Sequence, residues 1–244
     1  KKVILLFATI VFSILNVNAQ GVCGTTHPTQ AQYDFTKNVV SNIMLTANAG
    51  MTCIPIRPHI VRKTDGTGGI SLTEINQGIS HLNEYYFDMG VEFYLCGTTP
   101  DFIDSDTHYD FLSANESAMA SAGNEVTNAI NMYFVNGINY SGGPSYIAGY
   151  AYLPDNSLYS TRIVMRNGST ANGETLVHEL GHHFNLLHTF QGTINGNTDP
   201  DAENVPRSGF PNTNCSANGD LLCDTDADPG YSNATFNTTT CTYT

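Results

Sequence analysis

The sequence predicts an α/β (α+β) fold whose strands and helices lie before Phe190. Two strand-like segments flank a strongly helical one, further strand-like segments follow, and the composition after Phe190 turns to Asn, Asp, Pro and Thr. The first two observations predict a sheet packed on helices, and the third predicts irregular structure. Hydrophobic residues make up 41% of the 244 residues, which is enough for a sizeable core.

The N-terminus has the pattern of an export signal. Two lysines precede the apolar run Val3–Leu15, and Ala19 offers a small-residue cleavage site. Because the run is too short for a membrane anchor, we expect residues 1–19 to be a secretory signal peptide and the protein to be secreted to the extracellular space. Residues 20–50 are polar and are expected to form a pro-segment or N-terminal extension, with a helix around Thr36–Ala47.

Residues 54–96 are predicted to form a βαβ unit. Ile54–Arg62 is strand-like, Ser71 and Glu74 form a capping box, and Val91–Cys96 is the next strand. Between them, apolar residues recur at helical spacing until Gly90 ends the helix: Leu72, Ile75, Ile79, Leu82, Tyr86 and Met89. The two strands should therefore run parallel.

This unit bears on two of the six cysteines. Cys53 precedes the first strand and Cys96 ends the second, so parallel strands would hold them about 15–20 Å apart. A disulfide needs Cα atoms within about 7 Å, so we expect no Cys53–Cys96 bond. Export permits disulfides, six cysteines allow fifteen pairings, and apart from the argument against Cys53–Cys96 the residues alone do not choose among them.

Further elements lead to a last helix. One helix is predicted over Asn115–Asn131, and the last helix is predicted to begin near Gly173. Three short strands lie between them: Met132–Val135, Ile147–Leu153 and Arg162–Met165.

The net charge limits the classes of molecule that we expect the protein to bind. At −13, the chain repels phosphate backbones, so nucleic acid is not expected as a partner. The abundance of carboxylates makes calcium a candidate ligand. No segment after the signal could span a membrane, and the sequence leaves the oligomeric state unknown.

The eleven residues from His178 to His188 contain the candidate metal ligands and the candidate catalytic residue. His178 and His182 are four residues apart, so a helix places both imidazoles on one face, with Glu179 beside them. His188 can join them only if the chain turns first, and Asn185 is the residue that best tolerates a left-handed helix end. The opposite face, Leu176, Leu180 and Phe184, should pack against the sheet.

Three histidines with an open fourth position are typical of a catalytic zinc site. Zinc of this kind polarises a peptide carbonyl and activates the attacking water, and Glu179 would serve as the general base. A closed structural site would require a fourth protein ligand, and a surface helix that carries four of the eight histidines by chance would be unusual.

At these residues the chain resembles the metzincins, zinc peptidases with an H-E-x-x-H-x-x-G-x-x-H motif, although Asn185 stands where they usually have Gly. Within that clan it is similar to the pappalysin or cytophagalysin-like family in His188-Thr189-Phe190 and in the segment from Gly219 to Thr225. The segment Gly149–Pro154 resembles the family's edge strand, which pairs with extended substrate.

The resemblance implies a secreted zinc metalloendopeptidase that acts on proteins or peptides. Its fold would be a mixed, twisted, five-stranded sheet with backing helices and an active-site helix. Residues 51–188 would form the N-terminal catalytic subdomain, and residues 189–244 part of an irregular C-terminal subdomain. No methionine follows His188, so the family's methionine turn is missing and we expect the chain to be a fragment.

The resemblance also implies a Cys215–Cys241 disulfide and calcium after the zinc helix. For calcium, Asp224, Asp226 and Asp228 could supply the oxygen ligands, or they could form a solvated acidic turn.

Cys23 is the candidate latency switch of a zymogen, because a pro-segment thiolate can take the open zinc position. The alternative is an ordinary disulfide cysteine.

A different class of function is a catalytically silent metzincin-fold module for adhesion or binding. Inactive relatives often lack the general base, so the presence of Glu179 favours an enzyme. A zinc peptidase of another clan would use a carboxylate as third ligand, and His188 at the correct spacing argues against it.

Overall fold

A computed structural model describes residues 22–42, 50–139, 147–154, 161–192, 202–203, 214–228, 236–237 and 242–243. The expected signal peptide, residues 1–19, lies outside the described residues. The helices are α1 Gln30–Asn42, α2 Leu72–Tyr86, α3 Asp106–Tyr109, α4 Glu116–Ala122 and α5 Glu174–His183. The strands are β1 Val22–Cys23, β2 Thr52–Arg62, β3 Val91–Leu95, β4 Asp101–Asp104, β5 Asp110–Leu112, β6 Ile130–Val135, β7 Gly137–Asn139, β8 Ile147–Ala151, β9 Arg162–Arg166, β10 Phe236–Asn237 and β11 Thr242–Tyr243.

The main sheet is mixed, as predicted, and mostly parallel, but it has seven strands instead of the expected five. Its order is β1-β8-β9-β6-β2-β3, and β4 also pairs with β2. β3 pairs with the first half of β2 and β4 with its second half, so the two share one edge of the sheet. β8 runs antiparallel to β9, and the short β1 adds to β8 in parallel. The addition of β1 was not predicted.

Each face of the sheet is covered by helices. On one face, α2 and α5 pack through Leu82, Leu176 and Leu180 onto strand residues such as Ile56 and Met165. On the other face, α4 contributes Met119 to a second cluster with Tyr133 and Val164. All six residues of β6 are buried, which is the pattern of a central parallel strand.

The predicted βαβ unit is confirmed. β2 and β3 are parallel with Cys53 opposite Glu92, and the Ser71–Glu74 capping box begins α2. Cys53 and Cys96 are both free cysteines, as the parallel arrangement requires.

The helix predicted over Asn115–Asn131 is wrong in length, since α4 ends at Ala122. Asn124 turns its backbone N–H and its side chain to Asp101, and the Asn131 amide bonds the backbone of Val126. These polar contacts replace the helical hydrogen bonds that the pattern predicted.

The disulfide implied by the resemblance is also wrong. Cys215 bonds Cys223, at a Cα separation of 5.1 Å, and not Cys241, which lies outside the described residues. The two bonded cysteines are eight residues apart, so the bond closes a small loop in the irregular C-terminal region. In the described part of the chain, none of the helices has the length and apolar character needed to cross a bilayer.

Candidate metal centre

Helix α5 carries the predicted site on the side away from its buried leucines. Leu176 and Leu180 are fully buried against the sheet, as predicted. Phe184 is 39% exposed, because it follows the last helical residue and the chain has begun to turn there. His178 remains exposed and His182 is buried, so the histidine pair lies at the rim of the helix and sheet layers.

The predicted turn is confirmed at Asn185. Its φ is 74°, in the left-handed region that only Gly, Asn and Asp adopt readily. The Asn185 N–H bonds the His182 carbonyl at 2.8 Å, and the Leu186 N–H bonds the Gly181 carbonyl at 2.9 Å. This is a Schellman motif, and it reverses the chain so that His188 returns to the helix.

The turn brings the three predicted imidazoles together. His182 Nε2 lies 3.1 Å from His178 Nε2 and 3.1 Å from His188 Nε2. Two imidazole nitrogens on one tetrahedral zinc ion would be separated by about 3.3 Å, so the spacing fits a shared cation. The Nδ1 atom of His182 lies 2.7 Å from the Leu186 carbonyl, to which it can donate, and this leaves Nε2 as the metal-binding atom.

A fourth donor reaches the centre from the N-terminal segment. Cys23 Sγ lies 3.6 Å from His182 Nε2, close to the distance of about 3.6 Å expected for a thiolate and an imidazole on one zinc ion. The ligand atoms of Cys23, His178, His182 and His188 all lie within 4.8 Å of one another. Among the residues that the structure describes, this is the group of His, Cys, Asp or Glu side chains that could hold a metal ion. The donor set of three imidazoles and one thiol suits zinc.

The protonation of this centre depends on burial. Burial lowers the pKa of His182 to about 4 and that of His188 to about 3, so both are neutral at physiological pH, as metal ligands must be. Burial and the nearby Glu179 carboxylate raise the pKa of the Cys23 thiol to about 12. A divalent cation would have the opposite effect and favour the thiolate.

Glu179 lies fully buried beside the histidines. Burial raises the pKa of its carboxyl to about 7, in the range of a general base that works near neutral pH. Its Oε2 accepts a hydrogen bond of 2.8 Å from the Thr25 hydroxyl, and its Oε1 is buried without a hydrogen-bond partner among the described residues. Oε2 is the oxygen that faces the metal-binding group, since Cys23 Sγ lies 3.7 Å from it.

The edge strand β8 is shaped around Glu179. A Cβ atom on Gly149 would meet Met165 Sδ at 2.7 Å and Glu179 Cγ at 3.1 Å. Glycine at this position therefore lets the carboxylate lie directly under the strand. The family resemblance implies that Gly149 belongs to an edge strand, but the contact of Gly149 with Glu179 could not be predicted from the sequence.

The predicted acidic residues are not brought together. Asp224 and Asp226 are exposed, and Asp228 Oδ2 accepts a hydrogen bond from Thr189. They form no group of metal-binding side chains in the described part of the chain, so the structure does not support a calcium site at these positions.

Sequence reasoning missed Thr25. It lies two residues after the predicted switch Cys23, yet its hydroxyl contacts Glu179, 154 residues further along the chain. No local pattern signals a contact over such a separation.

Residues 72–189, which include the whole centre except Cys23, match the profile described as Metallo-peptidase family M12B Reprolysin-like. An extracellular metalloprotease of Pyricularia oryzae is 30% identical over 209 residues, which cover 77% of this chain and 71% of the relative. The chain belongs to this family of extracellular metalloproteases. An extracellular metalloprotease of Sordaria macrospora is 28% identical over 247 residues, covering 90% of this chain and 81% of the relative.

The fold agrees with this membership. A promirolysin mutant of Tannerella forsythia superimposes with a TM-score of 0.54 at 18% identity, covering 87% of this chain and 76% of that one. The likeness confirms the mixed metzincin-like fold. The chain is thus a metzincin-type metallopeptidase; the family implies zinc as its metal and proteins or peptides as its substrates.

Proposed function

We propose that the chain is a secreted zinc endopeptidase of the pappalysin or cytophagalysin-like type, with Glu179 as general base. The observation that carries this proposal is the convergence of three imidazole nitrogens beside a buried carboxylate with a pKa of about 7. His178, His182 and His188 would hold the ion. A silent binding module has no use for a fully buried glutamate at this position, so the geometry favours an enzyme.

When bound, zinc supplies a Lewis acid that polarises the scissile carbonyl and lowers the pKa of the attacking water. Glu179 accepts the proton of that water, and its buried carboxyl then passes the proton to the leaving amine. The backbone of β8 beside Glu179 would bind and orient the extended peptide. The Leu186 carbonyl keeps His182 in the tautomer that leaves Nε2 free.

The N-terminal segment would keep the enzyme latent. Cys23 completes the set of four donors, and a thiolate there would exclude water from the fourth position. β1 simultaneously covers the edge of β8 where a substrate strand would pair. Residues 20–50 would then act as a pro-segment, and Cys23 as its latency switch.

A direct test compares Glu179→Gln with Glu174→Gln in the full chain after activation. Glu174 lies exposed in the first turn of the same helix, so its variant controls for the loss of one carboxylate from α5. We expect casein hydrolysis to fall by at least about a hundredfold in Glu179→Gln and to persist in Glu174→Gln. Activity that survives both Glu179→Gln and a zinc chelator would exclude the mechanism.

The metal and the switch are tested separately. We expect about one zinc per chain by elemental analysis, and loss of bound zinc in His182→Ala. Cys23→Ala should activate faster than the unaltered chain. Unchanged latency in Cys23→Ala would show that Cys23 is not the switch.

A further inference from the structure

The Thr25 hydroxyl contacts both the proposed general base, Glu179, and the edge strand β8, and catalysis needs each of them free for a different partner. Its oxygen lies 2.8 Å from Glu179 Oε2, to which it donates, and accepts the Ala151 backbone N–H at 2.9 Å. The Ala151 carbonyl lies 3.2 Å away on the same strand. One hydroxyl therefore uses a hydrogen-bond acceptor of the general base and a backbone N–H donor of the edge strand.

The backbone of the segment explains how the hydroxyl reaches this position. Cys23 pairs with Gly149 in parallel register, and the Gly24 N–H bonds the Gly149 carbonyl at 2.8 Å. A Cβ atom on Gly24 would meet Ile147 Cγ2 at 2.7 Å, so glycine is required for this close approach to β8. Thr25 consequently lies opposite Ala151, directly over the carboxylate.

Thr25 and Cys23 differ in the group that each contacts most closely. The Cys23 thiol lies 3.6 Å from His182 Nε2 and 3.7 Å from Glu179 Oε2, whereas the Thr25 hydroxyl donates a hydrogen bond of 2.8 Å to Glu179 Oε2. The Thr25 N–H lies 3.4 Å from Cys23 Sγ, so the two contacts belong to one short rigid unit. Hydroxyl donation to a carboxylate does not require a metal ion.

We propose that Thr25 is a second inhibitory contact, which blocks the general base and the edge strand independently of the metal. The inference rests on the proposed function, because it assigns Glu179 as the base. The hydroxyl takes the hydrogen bond that the attacking water would donate to Glu179. Latency then depends on both residues, and Cys23→Ala alone retains part of it.

The test measures opening of the segment without any turnover. Full-length chains carrying Thr25→Val or Thr25→Ser are exposed to a thiol-alkylating reagent, with and without a zinc chelator, and labelling is read at Cys23 by peptide mass spectrometry. Reading the Cys23 peptide itself excludes the contribution of other cysteines. Thr25→Ser keeps the hydroxyl and is the matched control.

We expect Thr25→Val to label about tenfold faster or more in both conditions, because a hydrogen bond to a charged group is lost. Thr25→Ser should stay within about twofold of the unaltered chain. Equal rates for Thr25→Val and the unaltered chain would overturn the proposal.

Deuterium exchange over β8 provides the second measurement. It should rise in Thr25→Val while exchange over α2 stays unchanged. If exchange rises throughout the chain, Thr25→Ala replaces Thr25→Val, and unchanged β8 exchange and labelling in that variant overturn the proposal.

The two proposals can fail separately. Unchanged labelling of Cys23 in Thr25→Val would overturn the proposal for Thr25 and would leave the proposed peptidase mechanism standing. Casein hydrolysis that is insensitive to Glu179→Gln removes the peptidase mechanism even if the hydroxyl closes the segment.

Discussion

The hydroxyl of Thr36 lies 2.8 Å from Oδ1 of Asn185. Helix α1 of the N-terminal segment therefore contacts the very turn that returns His188 to the metal centre. Thr36 is almost fully buried, so the contact is shielded from water. The side chain of Asn185 thus connects the N-terminal segment to the site, while its backbone shapes the turn.

This double role predicts different effects for two substitutions of Asn185. Asn185→Ala places a residue that disfavours the left-handed region at φ 74° and should lower the free energy of unfolding by about 1–2 kcal/mol. It should also weaken zinc binding, because His188 is displaced. Urea unfolding and zinc titration measure the two effects.

Asn185→Gly is the control, since glycine keeps the turn and loses only the contact with Thr36. It should bind zinc as tightly as the unaltered chain. Equal zinc affinity in Asn185→Ala would show that the left-handed turn does not position His188.

A methyl group on Gly149 should disturb the general base. In Gly149→Ala the new Cβ would meet Met165 and Glu179 closer than normal van der Waals contact, which should cost about 1–3 kcal/mol of stability. Peptidase turnover should fall further than stability explains, because Glu179 must move. Thermal unfolding and the turnover number after activation separate the two effects.

Gly168→Ala is the matched variant, since a Cβ there has no heavy atom within 4 Å. It should change neither property. A normal turnover number in Gly149→Ala would contradict the close fit between β8 and the base.

Tyr33 should anchor α1. It is buried in a cluster with Leu153, Leu187 and Leu221, and its hydroxyl donates to the Gly219 carbonyl at 3.2 Å. Tyr33→Ala should lose about 3–5 kcal/mol if α1 unfolds with the rest of the chain. Tyr33→Phe keeps the ring and should lose about 1 kcal/mol.

Deuterium exchange over residues 30–42, with urea unfolding beside it, measures the anchoring. Exchange over α1 should rise strongly in Tyr33→Ala and slightly in Tyr33→Phe. Unchanged exchange in Tyr33→Ala would show that other contacts hold the helix.

His183 should make the metal-free chain sensitive to acid. Burial lowers the pKa of this side chain to about 4, against about 6.5 in an unfolded chain. The unfolded state then binds more protons, so the contribution of His183 is complete above about pH 6.5 and is lost as pH falls towards 4. Glu179, whose pKa is raised to about 7, contributes with the opposite sign, and its contribution is lost as pH rises.

The measurement is the free energy of unfolding of the metal-free chain from pH 7 to pH 4. His183→Gln should reduce its slope by up to about 1.4 kcal/mol per pH unit. Identical slopes for His183→Gln and the unaltered chain would mean that His183 is accessible to protons in the folded state.

The parts of the fold that depend on local sequence could be predicted. The period of α2, the histidine spacing of α5 and the turn at Asn185 all follow from residues within a few positions of each other. Helix α1 begins at Gln30, six residues before the start at Thr36 that the sequence predicts, although a local signal exists. Thr29 and Gln32 exchange the two hydrogen bonds of a capping box before Gln30 begins the helix.

The parts that depend on distant contacts could not be predicted. The helix predicted to continue after α4 stops there, because Asp101 accepts a hydrogen bond from Asn124, which lies 23 residues away. The pairing of β1 with β8 joins Val22 to Ile147, and no periodicity in either segment indicates it. The Cys215–Cys241 pairing came from resemblance alone, and the short loop between Cys215 and Cys223 is closed instead.

The order in which the centre assembles follows from where its donors lie along the chain. The three imidazoles and the base fall within one helix and its turn, so a cation could gather them at little cost in loop-closure entropy. Cys23 is 159 residues from His182, and its strand β1 pairs with β8, so its thiol can reach the imidazoles only by closing a long loop against the sheet. We therefore expect the thiol to be the last donor to arrive during folding and the first to leave when the chain begins to open.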